Sequence, residues 1–210
     1  MNKGKAHPTQ EVYGPAVLTG VHVTEEGYLE ICDEDLKAEL IGGVLVVSTP
    51  ASVRHEQLQG FLLALLRAYV EAHNLGTVLG SRTPMRLKDE YFEPDILFVA
   101  RNRLERLGEV FLDGPADLVI EIVSPDLRAL DRVIKRQVYE KHGVREYWLI
   151  DPERQSAAFY LPEKNRFEEV PTQQGIYRSQ AVPGFWLKVG WLWQEPLPPI
   201  LEVLKELGLV

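Results

Sequence analysis

Two apolar runs in this chain each carry an acid where an ionised side chain is costly. Residues 94–99 read PDILFV and residues 118–123 read LVIEIV. Both have the aliphatic and β-branched density of strands buried inside a sheet. The first nevertheless begins with Asp95 after its proline, and the second holds Glu121 at its middle. A buried carboxylate persists only when it is paired, hydrogen-bonded or bound to a metal. Strand alternation puts Asp117, Val119, Glu121 and Val123 on one face and Leu118, Ile120 and Ile122 on the other; Asp95 shares a face with Leu97 and Val99. If the two runs are sheet neighbours, Asp95 and Glu121 meet, and such a pair repels unless a cation lies between them. Hard oxygen donors of this kind suit Mg²⁺ or Mn²⁺, with the backbone carbonyl of Val123 as a further ligand.

The surrounding sequence reads as strands and helices in mixed order. AELI and VLVVS flank Gly42 and Gly43 and predict a hairpin. Ser52 predicts a cap for a helix carrying Leu58, Phe61, Leu62, Leu65, Leu66 and Tyr69 at helical spacing, ending near Asn74 and Gly76. TVLGS, PMRLK and EYWLID read as further strands, and SAAFYL, RFEEV and GIYRSQ as a small antiparallel meander. Between Leu127 and His142 the pattern turns helical, with Leu127, Leu130, Ile134 and Val138 as its apolar stripe. Lys135 stands at the border of that stripe, where its stem can lie along the sheet and its ammonium reach the carboxylates. There it would orient an attacking water and stabilise charge on a phosphorane-like transition state. An ordinary surface ion pair with Asp131, one helical turn earlier, accounts for the spacing equally well. Together these elements predict an α/β chain with a mixed sheet flanked by helices.

Residues 1–15 read as a loose arm and 16–210 as a single domain. Within it, 183–210 is an aromatic lid over the core or a self-association segment. The single cysteine, Cys32, excludes an intrachain disulfide, and the five scattered histidines lack zinc-ligand spacing. There is no glycine-rich phosphate loop and no nucleophile elbow. No apolar run is long enough to span a membrane, which points to a cytoplasmic protein. The net charge of −8 argues against broad attraction to nucleic acid, so such a partner needs a local basic patch. Candidate patches are Arg82, Arg86 and Lys88; Arg101, Arg103 and Arg106; and Arg128, Arg132, Lys135 and Arg136.

In order, AELIGG, STPASVRH, EPDILFV, PADLVIEIVSP, DRVIKRQVYEKHGVREYWLIDPE and VPGFWL resemble the putative restriction endonuclease family of the PD-(D/E)xK nuclease superfamily, common in cyanobacteria and other bacteria. The match runs from about residue 37 to about residue 187. The resemblance implies a restriction endonuclease-like core and a metal-dependent DNA endonuclease using Mg²⁺ or Mn²⁺, acting as a homodimer. It makes Pro94-Asp95 the first motif and Glu121 the second. Where the superfamily has lysine two positions on, this chain has Val123, and the lysine function falls to Lys135 on the following helix. By the same resemblance Glu39 is an additional acid from an early element, His55 a residue near the pocket, and Gly42 replaces a frequent Asp before the turn glycine. A catalytically inactive module that keeps the fold and binds nucleic acid or a protein is the alternative.

Overall fold

The computed structural model describes residues 17–31, 37–47, 50–124 and 130–210. The predicted arm, Cys32, Leu127 and Arg128 lie outside them. In chain order the elements are β1 (Val17–His22), α1 (Glu25–Ile31), β2 (Ala38–Ile41), β3 (Val44–Val47) and α2 (Val53–Ala72). They continue with β4 (Gly76–Gly80), β5 (Met85–Leu87), β6 (Glu90–Phe92), β7 (Ile96–Ala100), β8 (Leu112–Asp113) and β9 (Leu118–Ile122). A π-helical turn (Leu130–Lys135) runs into α3 (Arg136–His142). Then follow β10 (Glu146–Asp151), β11 (Ser156–Glu163), β12 (Arg166–Glu169), β13 (Ile176–Arg178), β14 (Trp186–Lys188) and α4 (Ile200–Glu206).

Two six-stranded sheets result, ordered β1-β3-β2-β6-β5-β8 and β12-β11-β10-β9-β7-β4. Each is mixed: β10 runs parallel to β9, and β5 to β8, among otherwise antiparallel pairs. Alternation along the strands sorts the core. Ile96, Phe98, Leu118, Ile120 and Ile122 pack with α2, while Leu97, Val99, Val119 and Val123 pack with Met85, Leu87 and Phe92 of the first sheet and Tyr139 of α3. Both acids of the opening runs therefore stand on the face turned toward the first sheet.

Local chemistry explains the elements nearest that face. Gly42 and Gly43 have φ of 58° and 77°, a turn that needs left-handed residues at both central positions and matches the twist of the β2–β3 hairpin. The Ser52 side chain accepts the His55 N–H at 3.2 Å and so caps α2.

Two expectations change. The predicted meander divides: β11 and β12 extend the second sheet, but β13 pairs with β14 in a separate hairpin. Tyr177 of β13 stacks on Phe159 with ring centroids 3.8 Å apart, so the hairpin covers the sheet's face instead of lengthening its edge. On the lysine helix the predicted stripe departs at Ile134, while Val138 packs against the core as expected. Ile134 is 42% exposed, whereas Lys135 and Tyr139 are buried. The π-helical turn is the cause: its wider i→i+5 winding rotates later side chains away from the positions an α-helix would give them.

In the C-terminal segment Trp191, Leu192, Val203 and Leu204 are buried in the core that includes α2. Among the described residues no helix is long and apolar enough to cross a membrane.

Candidate active site

Antiparallel pairing of β7 with β9 sets Ile96 against Ile120 and Leu97 against Val119. The same register, continued by one position, brings Asp95 opposite Glu121. Asp95 Oδ2 accepts the backbone N–H of Ile122 at 2.8 Å, which ties the start of one strand to the end of the other. From α2, His55 Nε2 lies 3.1 Å from the same oxygen, and Gln59 Nε2 donates to the Asp95 carbonyl at 2.8 Å. Lys37 Nζ lies 3.1 Å from Asp95 Oδ1.

Glu121 has its own cation. Lys135 Nζ is 3.1 Å from Glu121 Oε1 and 2.9 Å from Glu39 Oε1, so one ammonium bridges two carboxylates from different sheets. Tyr139, one helical turn beyond Lys135, donates its hydroxyl to Glu121 Oε1 at 2.7 Å. Glu39 Oε1 also accepts the backbone N–H of Glu93 at 2.9 Å. Alternation in β2 makes this possible: Ala38 and Leu40 enter the small core beneath the first sheet, which leaves Glu39 facing the second.

The electrostatics follow from these contacts. Burial alone would raise the Asp95 carboxyl, but the His55 hydrogen bond and the charges of Lys37 and His55 hold it well below the usual carboxylate range. Burial would lower His55 and Lys37; Asp95 outweighs it and both are raised. Glu93 has no such rescue. Its burial pushes it up to about 7, with Arg82 opposing. Tyr139 is raised well above its ordinary value by burial and by Glu121, so its hydroxyl stays a donor.

All five side chains singled out in the sequence, Asp95, Glu121, Lys135, Glu39 and His55, thus belong to one buried group. Val123 is buried at the end of β9, its N–H donating to Ile150 O at 2.7 Å. The Asp131 side chain lies outside the described ones, and with it the expected Asp131 ion pair; Lys135 itself is buried and lies against Glu39 and Glu121. Lys37, Gln59, Glu93 and Tyr139 escaped the sequence reading. Spacing held a signal for three of them, since Lys37 is two positions before Glu39 at the entry to β2, and Gln59 and Tyr139 are each one helical turn past a selected residue.

Would this group hold a metal? Among the described residues no three Asp, Glu, His or Cys side chains converge as a ready-made ligand set. The donors present suit a hard cation all the same: they are carboxylate oxygens, and Glu39 Oε2 and Glu93 Oε2 are buried without a hydrogen-bond partner. Among the described residues, part of the candidate basic patches is spent internally. Arg86 pairs with Glu25 and Asp113, Arg103 with Asp117, and Arg136 donates to Phe167 O and lies over the Tyr160 ring. Arg106 donates to the carbonyls of Asp113 and Pro115, while Arg82, Lys88 and Arg101 are exposed.

Two packed mixed sheets flanked by helices make this an α/β fold. The crystal structure of a putative nuclease belonging to DUF820 from Anabaena variabilis ATCC 29413 shares that fold. It aligns with a TM-score of 0.68 at 21% identity, over 81% of this chain and 97% of that one. The family model described as Uma2, Putative restriction endonuclease, matches residues 25–190, and the chain belongs to that family. A search of curated proteins gives no match.

Proposed function

We propose that the protein is an endonuclease that hydrolyses phosphodiester bonds in DNA with Mg²⁺ or Mn²⁺ held by Asp95, Glu121 and the Val123 carbonyl. The observation that carries this reading is the opposition of Asp95 and Glu121 across β7 and β9 with Lys135 3.1 Å from Glu121. When bound, the cation would polarise the scissile phosphate and make a bound water more acidic.

The remaining work belongs to the chain. Lys135 supplies a positive charge beside the carboxylates, orienting the attacking water and countering charge that builds on the phosphorus oxygens. Glu39 holds that ammonium from the other side, and Tyr139 fixes the Glu121 carboxylate. His55 and Lys37 keep Asp95 ionised and aimed. Cutting both strands of a duplex would use two copies related by a two-fold axis.

A second reading draws on the same contacts. Lys37 and Lys135 already pair with Asp95, Glu39 and Glu121, and an ion network of that kind serves a fold that binds nucleic acid without cutting it. Labelled duplex incubated with protein and Mn²⁺ separates the two. An endonuclease gives shortened products that a chelator prevents. A binding module gives a shifted band of intact DNA whose intensity falls with salt.

A further inference from the structure

Next to the acid group lies a cleft of about 150 Å³, and of its lining the mechanism above uses only Val123. Val123 forms one wall, and Ser52 at the start of α2, Pro152 and Gln155 just past β10, and Trp193 form the others. The fold brings them together because β9 and β10 run parallel and end at the same edge, where β7 begins and α2 starts. The carboxyl ends of adjacent parallel strands are a recurrent place for ligands. Val123 is two residues beyond Glu121, about 7 Å along the chain. That is the reach of about two nucleotides at roughly 3.4 Å rise each.

We propose that this cleft receives one nucleobase of the substrate strand, within a nucleotide or two of the phosphate that is cut, stacked against Trp193. The proposal rests on the nuclease reading and adds a specificity subsite to it. Its volume is below the roughly 300–1,000 Å³ of pockets for drug-sized ligands, as suits a single base without its sugar and phosphate. Its chemistry excludes phosphate as the occupant. Among the described residues the one guanidinium lining it, Arg54, is already engaged: it donates to Leu192 O at 2.7 Å and Gln194 O at 3.1 Å, and it lies 3.7 Å from Glu195 Oε1. Glu153 and Glu195 also line the cleft, Glu195 beside Arg54, so the described lining holds more carboxylate than cationic charge and does not attract a phosphate. Carboxylates do accept the exocyclic amino groups of adenine, cytosine and guanine.

The Arg54 contacts have a second effect. They clamp the backbone on both sides of Trp193, so the stacking residue is held in place before substrate arrives. A base inside a duplex must leave its stack to enter, so unpaired or mismatched positions are favoured.

The test uses the wild-type protein with Mn²⁺ and end-labelled oligonucleotides that differ only in the position of one abasic site, cleavage being mapped for each. The expected result is one position, one or two nucleotides from the cut, where loss of the base raises KM about tenfold and leaves kcat nearly unchanged. Trp193→Ala should abolish that position dependence and Trp193→Phe should keep it, both judged on protein shown to be folded by circular dichroism. Even tolerance of abasic sites by the wild type, or an unchanged position dependence in Trp193→Ala, would overturn the subsite while leaving the nuclease reading intact. Failure of the wild type to cut any oligonucleotide or a plasmid control would remove the nuclease reading, and the subsite with it.

Discussion

The ammonium of Lys135 and the carboxylate of Glu121 are 14 positions apart in sequence and 3.1 Å apart in space. The same nitrogen is 2.9 Å from Glu39, so removing it leaves two buried carboxylates facing each other without their shared cation. Loss of one partner from a buried ion pair costs about 3–5 kcal/mol. Lys135→Ala should lose stability of that order in urea titrations with chelator present, and Mn²⁺ should raise its melting temperature more than it raises that of the wild type. A variant as stable as the wild type would mean that the three groups are not coupled.

Tyr139 makes a narrower contribution. Its hydroxyl donates to Glu121 at 2.7 Å, and a hydrogen bond to a charged acceptor contributes about 2 kcal/mol. Tyr139→Phe keeps the ring, which packs edge-on against Phe92 and Tyr147. Stability should fall by about that amount, and cleavage should weaken through poorer positioning of Glu121. Equal stability and cleavage in the two proteins would show the hydroxyl to be incidental.

Stability without metal should decline as the pH rises from acid toward alkaline. Glu93 has a carboxyl raised from an ordinary 4.5 to about 7, so the folded state binds more protons than the unfolded one between those values. That contribution is full below 4.5 and is lost as pH climbs through 7. His55 is also raised, and its contribution is full below 6.5 and lost above. Asp95 has the opposite sign and acts below its ordinary 3.8. In Glu93→Gln the decline between pH 5 and 7 should flatten, leaving the His55 part. An identical slope in the two proteins, read from denaturation midpoints across pH, would contradict this assignment.

The C-terminal segment belongs to the core. Trp191 is 2% exposed and packs with Trp186, ring centroids 5.3 Å apart, so Trp191→Ala should cost about 3–5 kcal/mol. A chain ended before Gly190 should lose its cooperative thermal transition. A truncated protein that melts like the full chain, with only its light-scattering mass altered, would make the segment an association surface instead.

Much of this was legible in the sequence because it rests on short-range regularities. Period-two alternation put Asp95 and Glu121 on the correct faces, Gly42-Gly43 announced the hairpin, and Ser52 announced α2 with His55 in its first turn. What stayed hidden depends on longer geometry. The π-helical turn before Arg136 has no spacing signature of its own, so an α-helical reading placed Ile134 in the stripe with Val138, whereas Ile134 is exposed and Lys135 and Tyr139 are buried. The division into two sheets was equally hidden, since strand pairing such as β2 with β6 joins segments some fifty positions apart. Lys37 was missed for a related reason: its partner Asp95 is 58 positions away and belongs to the other sheet.

Plasmid nicking reads the proposed roles of Glu121 and Lys135. Wild type, Glu121→Ala and Lys135→Ala, each shown to be folded, would be incubated with supercoiled plasmid in Mn²⁺ and in Mg²⁺, with a chelator control. The wild type should relax and linearise the plasmid in at least one metal, and chelator or either substitution should abolish this. Cleavage that survives in both variants would contradict the assignment of Glu121 and Lys135. Intact plasmid with wild type in both metals would make the lysine-neutralised acids a structural network in a protein that binds without cutting.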